Sequence, residues 1–216
     1  MAIDDLLDEH EQGERVRNWL KDNGTGLIAG IALGLAAILG WQWWQKDKLQ
    51  GKQQAYTAYQ DVDDLLQVEG DDTPDLDKAR LEIAGLDGKD PIYRDLATLR
   101  LARAQVDAGK TDDAIATLRA LKPEPALKAL VDQRLARLLV ETGKPDEALS
   151  VLGQSKDSAS LEIRGDAELA AGKTDVARDL YLKALTGLDI ASPQRRLLEL
   201  KLTHVGGTPP KPAEPA

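Results

Sequence analysis

No cysteine occurs in this 216-residue chain, so neither a disulfide nor a thiolate-bound zinc holds its fold. That lack does not fix a compartment. Phenylalanine is also missing, and aromatics make up 4% of the residues. Leu and Ala dominate the apolar set and β-branched residues are few, a balance that favours helix over strand. The two histidines, His10 and His204, stand near opposite ends. No metal-ligand cluster, nucleophile arrangement or glycine-rich phosphate loop is spelled out, so no catalytic, cofactor or metal residue is expected. AGKTDD at 108–113 is like the end of a phosphate loop, but Ala104 stands where its first glycine belongs. Basic residues are also scarce, 28 against 37 acids for a net charge of −9. That balance argues against nucleic acid as a partner.

Against this polar background stands one long apolar run. From Gly24 to Trp44 no residue carries a charge. As a helix the run measures roughly 31 Å, about the thickness of a bilayer's hydrocarbon core. It does not read as a cleaved signal peptide. The segment 1–23 before it holds seven acids and three bases, and it ends in Trp41, Trp43 and Trp44 rather than a small-x-small site. Those tryptophans, with Trp19 on the other side, suit the headgroup level of a membrane. The expected layout is a short acidic tail (1–23), a transmembrane helix (24–45), a helical domain (46–205) and a flexible Pro-rich tail (206–216).

Lysine and arginine do not orient the span. Arg15, Arg17 and Lys21 precede it, and Lys46, Lys48 and Lys52 follow it, a tie under the positive-inside rule. Residues 2–22 carry Ile3, Leu6, Leu7, His10 and Val16 at roughly helical spacing, weakened by Gly13 and Gly24. Within the span, Gly26, Gly30 and Gly34 form two overlapping G-x-x-x-G motifs on one face. Such a face lets another transmembrane helix pack closely.

Beyond the span, residues 47–69 read as a helix with Ala55, Tyr59, Val62, Leu65 and Leu66 as its apolar stripe, broken at Gly70 to Pro74. A second helix is expected from Pro74 to Leu86, with Gly85, Gly88 and Pro91 marking its end. An internal repeat follows. LRLARAQVDAGKTDDAIATL (99–118), DQRLARLLVETGKPDEALSVL (132–152) and IRGDAELAAGKTDVARDLYLKAL (163–185) share one plan, with Gly-Lys pairs at 109, 143 and 172. The second interval is therefore five residues shorter than the first. Each unit reads as a helix ending at Gly and a second helix opening with Asp112, Asp146 or Asp175, where the helix dipole favours a carboxylate. A closing helix is expected at about 193–204.

These units resemble the tetratricopeptide repeat, whose period is about 34 residues. The matching positions are Ala102, Ala136 and Gly165 in the first helices, Gly109, Gly143 and Gly172 in the turns, and Ala114, Ala148 and Ala177 in the second helices. The family's Trp, Tyr and Pro positions are mostly absent, and the third unit is five residues short. The expected fold is all-α: one N-terminal transmembrane helix followed by a tetratricopeptide-like solenoid of helical hairpins. Stacking is needed because a single hairpin cannot bury its apolar face alone.

The full layout is similar to the YfgM-like ancillary subunits of the bacterial Sec translocon. The residues that carry the likeness are MAIDDLLDEHEQGERVRNWLKDNG, the Gly-rich span, the Trp cluster followed by Gln and Lys, AYTAYQ and the repeats. The resemblance implies a single-pass inner-membrane protein with a cytoplasmic N-terminus and a periplasmic repeat domain. It also implies association with SecYEG and with a PpiD-type periplasmic chaperone, and handover of client polypeptides without bond chemistry. Two other roles fit the same architecture. One is a regulator that holds a cytoplasmic signalling protein through its acidic tail, and the other is an envelope or division scaffold.

By the same resemblance, the first helix of each unit lines a concave groove. The lining would comprise Leu96, Leu99, Arg103 and Val106 from the first unit, and Leu130, Gln133, Arg137 and Val140 from the second. Arg103 and Arg137 are one repeat apart and suit a peptide carboxylate. The alternative is that both pair with neighbouring acids on a solvated face.

Overall fold

The computed structural model describes residues 4–67 and 73–210, with side chains from residue 13 onward. Among these residues there are nine helices and no strand. The first, α1, runs Asp4–Leu66. It continues through Gly13 and Gly24, glycines that weaken a helix without stopping one.

The chain divides into two compact units between Gln53 and Gln54. In the first unit, α1 is long and apolar enough to cross a membrane, and its apolar window is fully exposed. Ile28, Leu33 and Trp43 are each at least 70% exposed. Nothing among the described residues covers them, which in water would leave a large unsatisfied apolar surface. Gly26, Gly30 and Gly34 have open space where a Cβ would stand. The Trp41 and Trp44 rings lie 5.2 Å apart, and Lys48 Nζ sits 3.9 Å from the Trp44 ring centre.

In the second unit, the end of α1 contributes Ala55 and Val62 to a core shared with α2 (Leu76–Ala84) and α3 (Pro91–Asp107). Tyr59, Leu65 and Leu66 pack at its margin. The second helix is shorter than the sequence suggests. Asp75 caps it by accepting from the Lys78 backbone N–H at 3.0 Å, so Pro74 stays outside. Leu86 lies past its end but is fully buried. Of the break expected at Gly70 to Pro74, residues 70–72 lie outside the described residues, as do residues 211–216 of the expected tail.

Three hairpins follow. They are α3 with α4 (Thr111–Ala120), α5 (Pro125–Glu141) with α6 (Pro145–Leu152), and α7 (Ser158–Ala170) with α8 (Thr174–Thr186). The last helix, α9, is Arg195–His204. All three turns repeat one hydrogen-bond pattern. Lys110, Lys144 and Lys173 donate backbone N–H groups to the carbonyls of Gln105, Leu139 and Glu168 at 2.7–2.8 Å. The glycine before each lysine has φ of 74–79°, the left-handed conformation that such a C-cap requires and only glycine adopts cheaply. The repeated Gly-Lys pair is therefore a turn signal, and it accounts for AGKTDD. Asp112, Asp146 and Asp175 all fall in the first turn of the following helix.

Small residues let the hairpins close. Ala114, Ala136, Ala148 and Ala177 are fully buried and Ala102 nearly so. One apolar cluster joins α3 to α7 through Leu99, Ile115, Leu118, Leu135, Leu139, Leu152 and Ile163. Another joins α8 to α9 through Tyr181, Leu185, Leu198 and Leu202. A polar clasp ties α9 to α7: Lys201 Nζ donates to Glu162 Oε1 at 2.6 Å and to Asp166 Oδ2 at 2.7 Å. Tyr181 donates its hydroxyl to Asp166 Oδ1 at 2.8 Å.

Candidate functional site

The repeat sequence places chemistry where the first helices of the first two hairpins face each other. A cleft of about 400 Å³ lies there, lined from α3 by Leu99, Arg100, Ala102, Arg103 and Val106. Leu118 of α4 and Arg134, Arg137 and Leu138 of α5 complete it. Of the eight residues expected to line a groove, Leu99, Arg103, Val106 and Arg137 meet in this cleft. Leu96, Leu130, Gln133 and Val140 lie elsewhere. Gln133 is turned toward α7, donating to Asp157 Oδ1 at 2.9 Å and Ser160 Oγ at 3.2 Å. Val140 packs against the apolar cluster, and Leu130 stands exposed.

The cleft also holds two arginines that the sequence reading missed, Arg100 and Arg134. Their signal was available, since Arg100 and Arg134 stand one repeat period apart, as do Arg103 and Arg137. Each helix thus carries an i, i+3 pair on one face, with Cβ atoms about 5–6 Å apart, and the repeat duplicates it.

The four guanidinium groups are unequally matched. Arg100 bonds Asp63 Oδ1 at 3.1 Å, and its Nε–H reaches the Tyr59 hydroxyl at 3.4 Å. Arg103 bonds Asp107 Oδ2 at 2.8 Å. Arg134 and Arg137 have no carboxylate within ion-pair distance among the described residues. Burial, and then repulsion from Arg103, Arg100 and Arg137, push the Arg134 pKa down. Four cations have therefore gathered around an apolar floor, and among the described residues the two on α5 lack an ion-pair partner. Of the two outcomes open for Arg103 and Arg137, pairing with a neighbouring acid holds for Arg103.

A larger hollow of about 690 Å³ shares Arg100 and Arg103 on the other side of α3. Its walls include Asp63 and Asp107, the acids that already answer those arginines, so it presents less unmatched charge. His204 lines a separate shallow hollow with Tyr181 and Lys201. The side chain of His10 is outside the described residues.

Comparison with known proteins gives two curated relatives, each named as an ancillary SecYEG translocon subunit. One, from Escherichia coli (strain K12), is 30% identical over 51% of this chain and 52% of its own length. The other, from Haemophilus influenzae (strain ATCC 51907 / DSM 11121 / KW20 / Rd), is 25% identical over 55% of this chain and 74% of its own length. The chain spans about half the length of the Escherichia coli relative it matches. No solved structure matches it. The family model described as "Tetratricopeptide repeat-like domain" covers residues 17–207, which takes in the three hairpins, their glycine turns and most of α1, and the chain belongs to that family.

Proposed function

We propose that this protein is a non-enzymatic adaptor of a bacterial inner membrane that works beside the Sec translocon. Its α1 would cross the bilayer once, with residues 1–23 in the cytoplasm and the repeat domain in the periplasm. The observation that carries this reading is the coupling of a fully exposed, span-length apolar helix to tetratricopeptide-like hairpins. Both curated relatives are named for the SecYEG translocon, which supports the location.

In this reading the repeats recruit a PpiD-type periplasmic chaperone and assist its handover of emerging polypeptides. Tethering makes such a role workable with weak contacts. Anchoring a binder beside its target raises the effective concentration to about the millimolar range. Gly26, Gly30 and Gly34 offer a face with no side chain in the way. A partner's span would approach closely there, gaining van der Waals contact that lipid does not supply. Trp19, Trp41, Trp43 and Trp44, all exposed, would set the depth of α1 at the two headgroup layers.

The test is purification of the full chain from membranes in mild detergent, read by mass spectrometry, with Gly30→Leu in parallel. Recovery of SecY and a PpiD-type chaperone is expected with the unaltered chain and is expected to be lost with Gly30→Leu, while insertion continues. Recovery of a cytoplasmic regulator or of division proteins instead would overturn the translocon role. If Gly30→Leu still recovers SecY, the glycine face is not the docking site.

A further inference from the structure

We propose that the cleft between α3 and α5 binds an internal acidic segment of a partner polypeptide, gripped by Arg100, Arg103, Arg134 and Arg137 over a floor of Leu99, Val106 and Leu138. This deepens the adaptor reading and rests on it for the presence of a polypeptide partner.

Three observations carry the proposal. First, the arginines are laid out by the repeat itself: 100 and 134, then 103 and 137, each one period apart. Two helices therefore present the same i, i+3 pair to one cleft. Second, their charge is only partly answered. Asp63 and Asp107 account for Arg100 and Arg103, and among the described residues no acid reaches Arg134 or Arg137. Third, the protein carries a net charge of −9, so this concentration of positive charge runs against the molecule's overall balance.

Charge complementarity specifies the occupant. A guanidinium fork matches a carboxylate with two parallel N–H···O bonds, and planar forks hold that geometry better than lysine ammonium groups would. Four guanidinium groups with two internal acids call for at least two more carboxylates. A single chain end supplies one, whereas an internal run of Asp or Glu supplies several. The apolar floor adds a requirement that a fully polar segment does not meet, namely an apolar side chain to cover the partly exposed Val106 and Leu138. Arriving carboxylates would also relieve the mutual repulsion of the arginines, a gain made only on binding. Clusters of arginine recognise acidic motifs in this way in other folds.

The experiment is fluorescence anisotropy with the full chain in nanodiscs of phosphatidylcholine. The probe is a fluorescein-labelled peptide, Glu-Glu-Leu-Glu-Glu-Leu-Glu-Glu, capped at both ends. Its neutral twin carries Gln at every Glu. The expected result is binding of the acidic peptide that weakens with added salt, and binding of the twin weaker by about tenfold or more. Arg134→Gln with Arg137→Gln is expected to weaken the acidic peptide about tenfold, whereas Lys at both positions restores part of the affinity because charge remains and the fork does not.

Equal binding of the two peptides by the unaltered chain would overturn the proposal, and that comparison needs no variant to fold. So would a Gln variant that melts normally and binds undiminished. Displacement of the peptide when phosphatidylglycerol replaces part of the lipid would also overturn it, by assigning the cleft to headgroups. Peptide capture without recovery of SecY would sink the translocon role and leave the cleft standing. Recovery of SecY without peptide capture would do the reverse.

Discussion

A methyl group on Gly165 would lie 2.6 Å from Cδ1 of Tyr181, so the ring occupies the space that a side chain on α7 would take. The first two units solve the same contact differently. Position by position, Ala102 and Leu118, Ala136 and Leu152, and Gly165 and Tyr181 are each sixteen residues apart. The third unit has made one partner smaller and the other larger. Gly165→Ala is therefore expected to cost about 1–3 kcal/mol by overpacking. Tyr181→Leu alone should also cost about 1–3 kcal/mol, through a void and the lost bond to Asp166. Together they recreate the Ala–Leu pairing, and the double variant should be more stable than the sum of the two losses by at least about 1 kcal/mol. Urea midpoints of the three variants measure this, and strict additivity would show that the two residues do not share one space.

The hairpin turns make a different prediction. Gly143 has φ of 74° and no atom within 4 Å of its missing Cβ, so crowding plays no part. Gly143→Ala should cost about 1–2 kcal/mol from the left-handed backbone alone. Gly30→Ala, also in open space but within a regular helix, should not destabilise the fold. Hydrogen exchange across the α5–α6 turn would report the loss locally, and unchanged exchange in Gly143→Ala would remove the conformational argument.

The clasp on α9 predicts an alkaline response. Burial works to lower the Lys201 pKa, but hydrogen bonds to Asp166 and Glu162 and their attraction outweigh it, so the net direction is upward. The Tyr181 pKa is raised as well, by burial first and then by its bond to Asp166. A raised pKa means that the folded state holds its proton more tightly than the unfolded chain. The stabilisation is complete below the ordinary values of about 10 and is lost as pH rises through the raised ones. Urea midpoints should hold steady from neutral pH to about 10 and then fall. Lys201→Met should lower stability at neutral pH by about 1–3 kcal/mol, because two carboxylates lose their cation, and should show a smaller alkaline fall. An identical alkaline profile in that variant would exclude the clasp as its source.

Acid should act at the other end of α7. Asp157 caps that helix through the Ser160 backbone N–H at 2.9 Å and accepts from Ser155 Oγ at 2.6 Å. Burial pushes its pKa up, but these hydrogen bonds prevail and bring it below the usual carboxylate value. A depressed carboxylate stabilises above its unfolded pKa, and that contribution disappears as pH falls through the folded value. Asp157→Ala should therefore cost about 1 kcal/mol at neutral pH, and the difference from the unaltered chain should close in strong acid. A constant difference down to low pH would show that the carboxylate's charge is irrelevant.

Much of this fold is legible in the sequence because its signals are local. A turn glycine, the lysine after it and an Asp at the next helix start lie within four residues, as at 109–112. The buried alanines follow from the same register. The acidic cap at Asp75 was harder to see, because Pro74 beside it is itself a good helix opener. The clasp joins Lys201 to Glu162 and Asp166, partners far away along the chain, and has no repeat to announce it. In the cleft, pattern reading found Arg103 and Arg137 but passed over Arg100 and Arg134, whose period is identical. Gln133 is expected to line the groove, yet its amide is drawn to Asp157 and Ser160, a competition visible only once α7 is in place.

Counting back from each turn glycine, Asp166 of the third unit stands where Arg103 and Arg137 stand in the first two. The basic track therefore ends after two repeats, and the site that would have continued it carries the opposite charge and is already held by Lys201. The third hairpin acts as an end stop. It gives the track a fixed length and a direction, so a bound segment would be measured in register against two units and could not slide on toward α9.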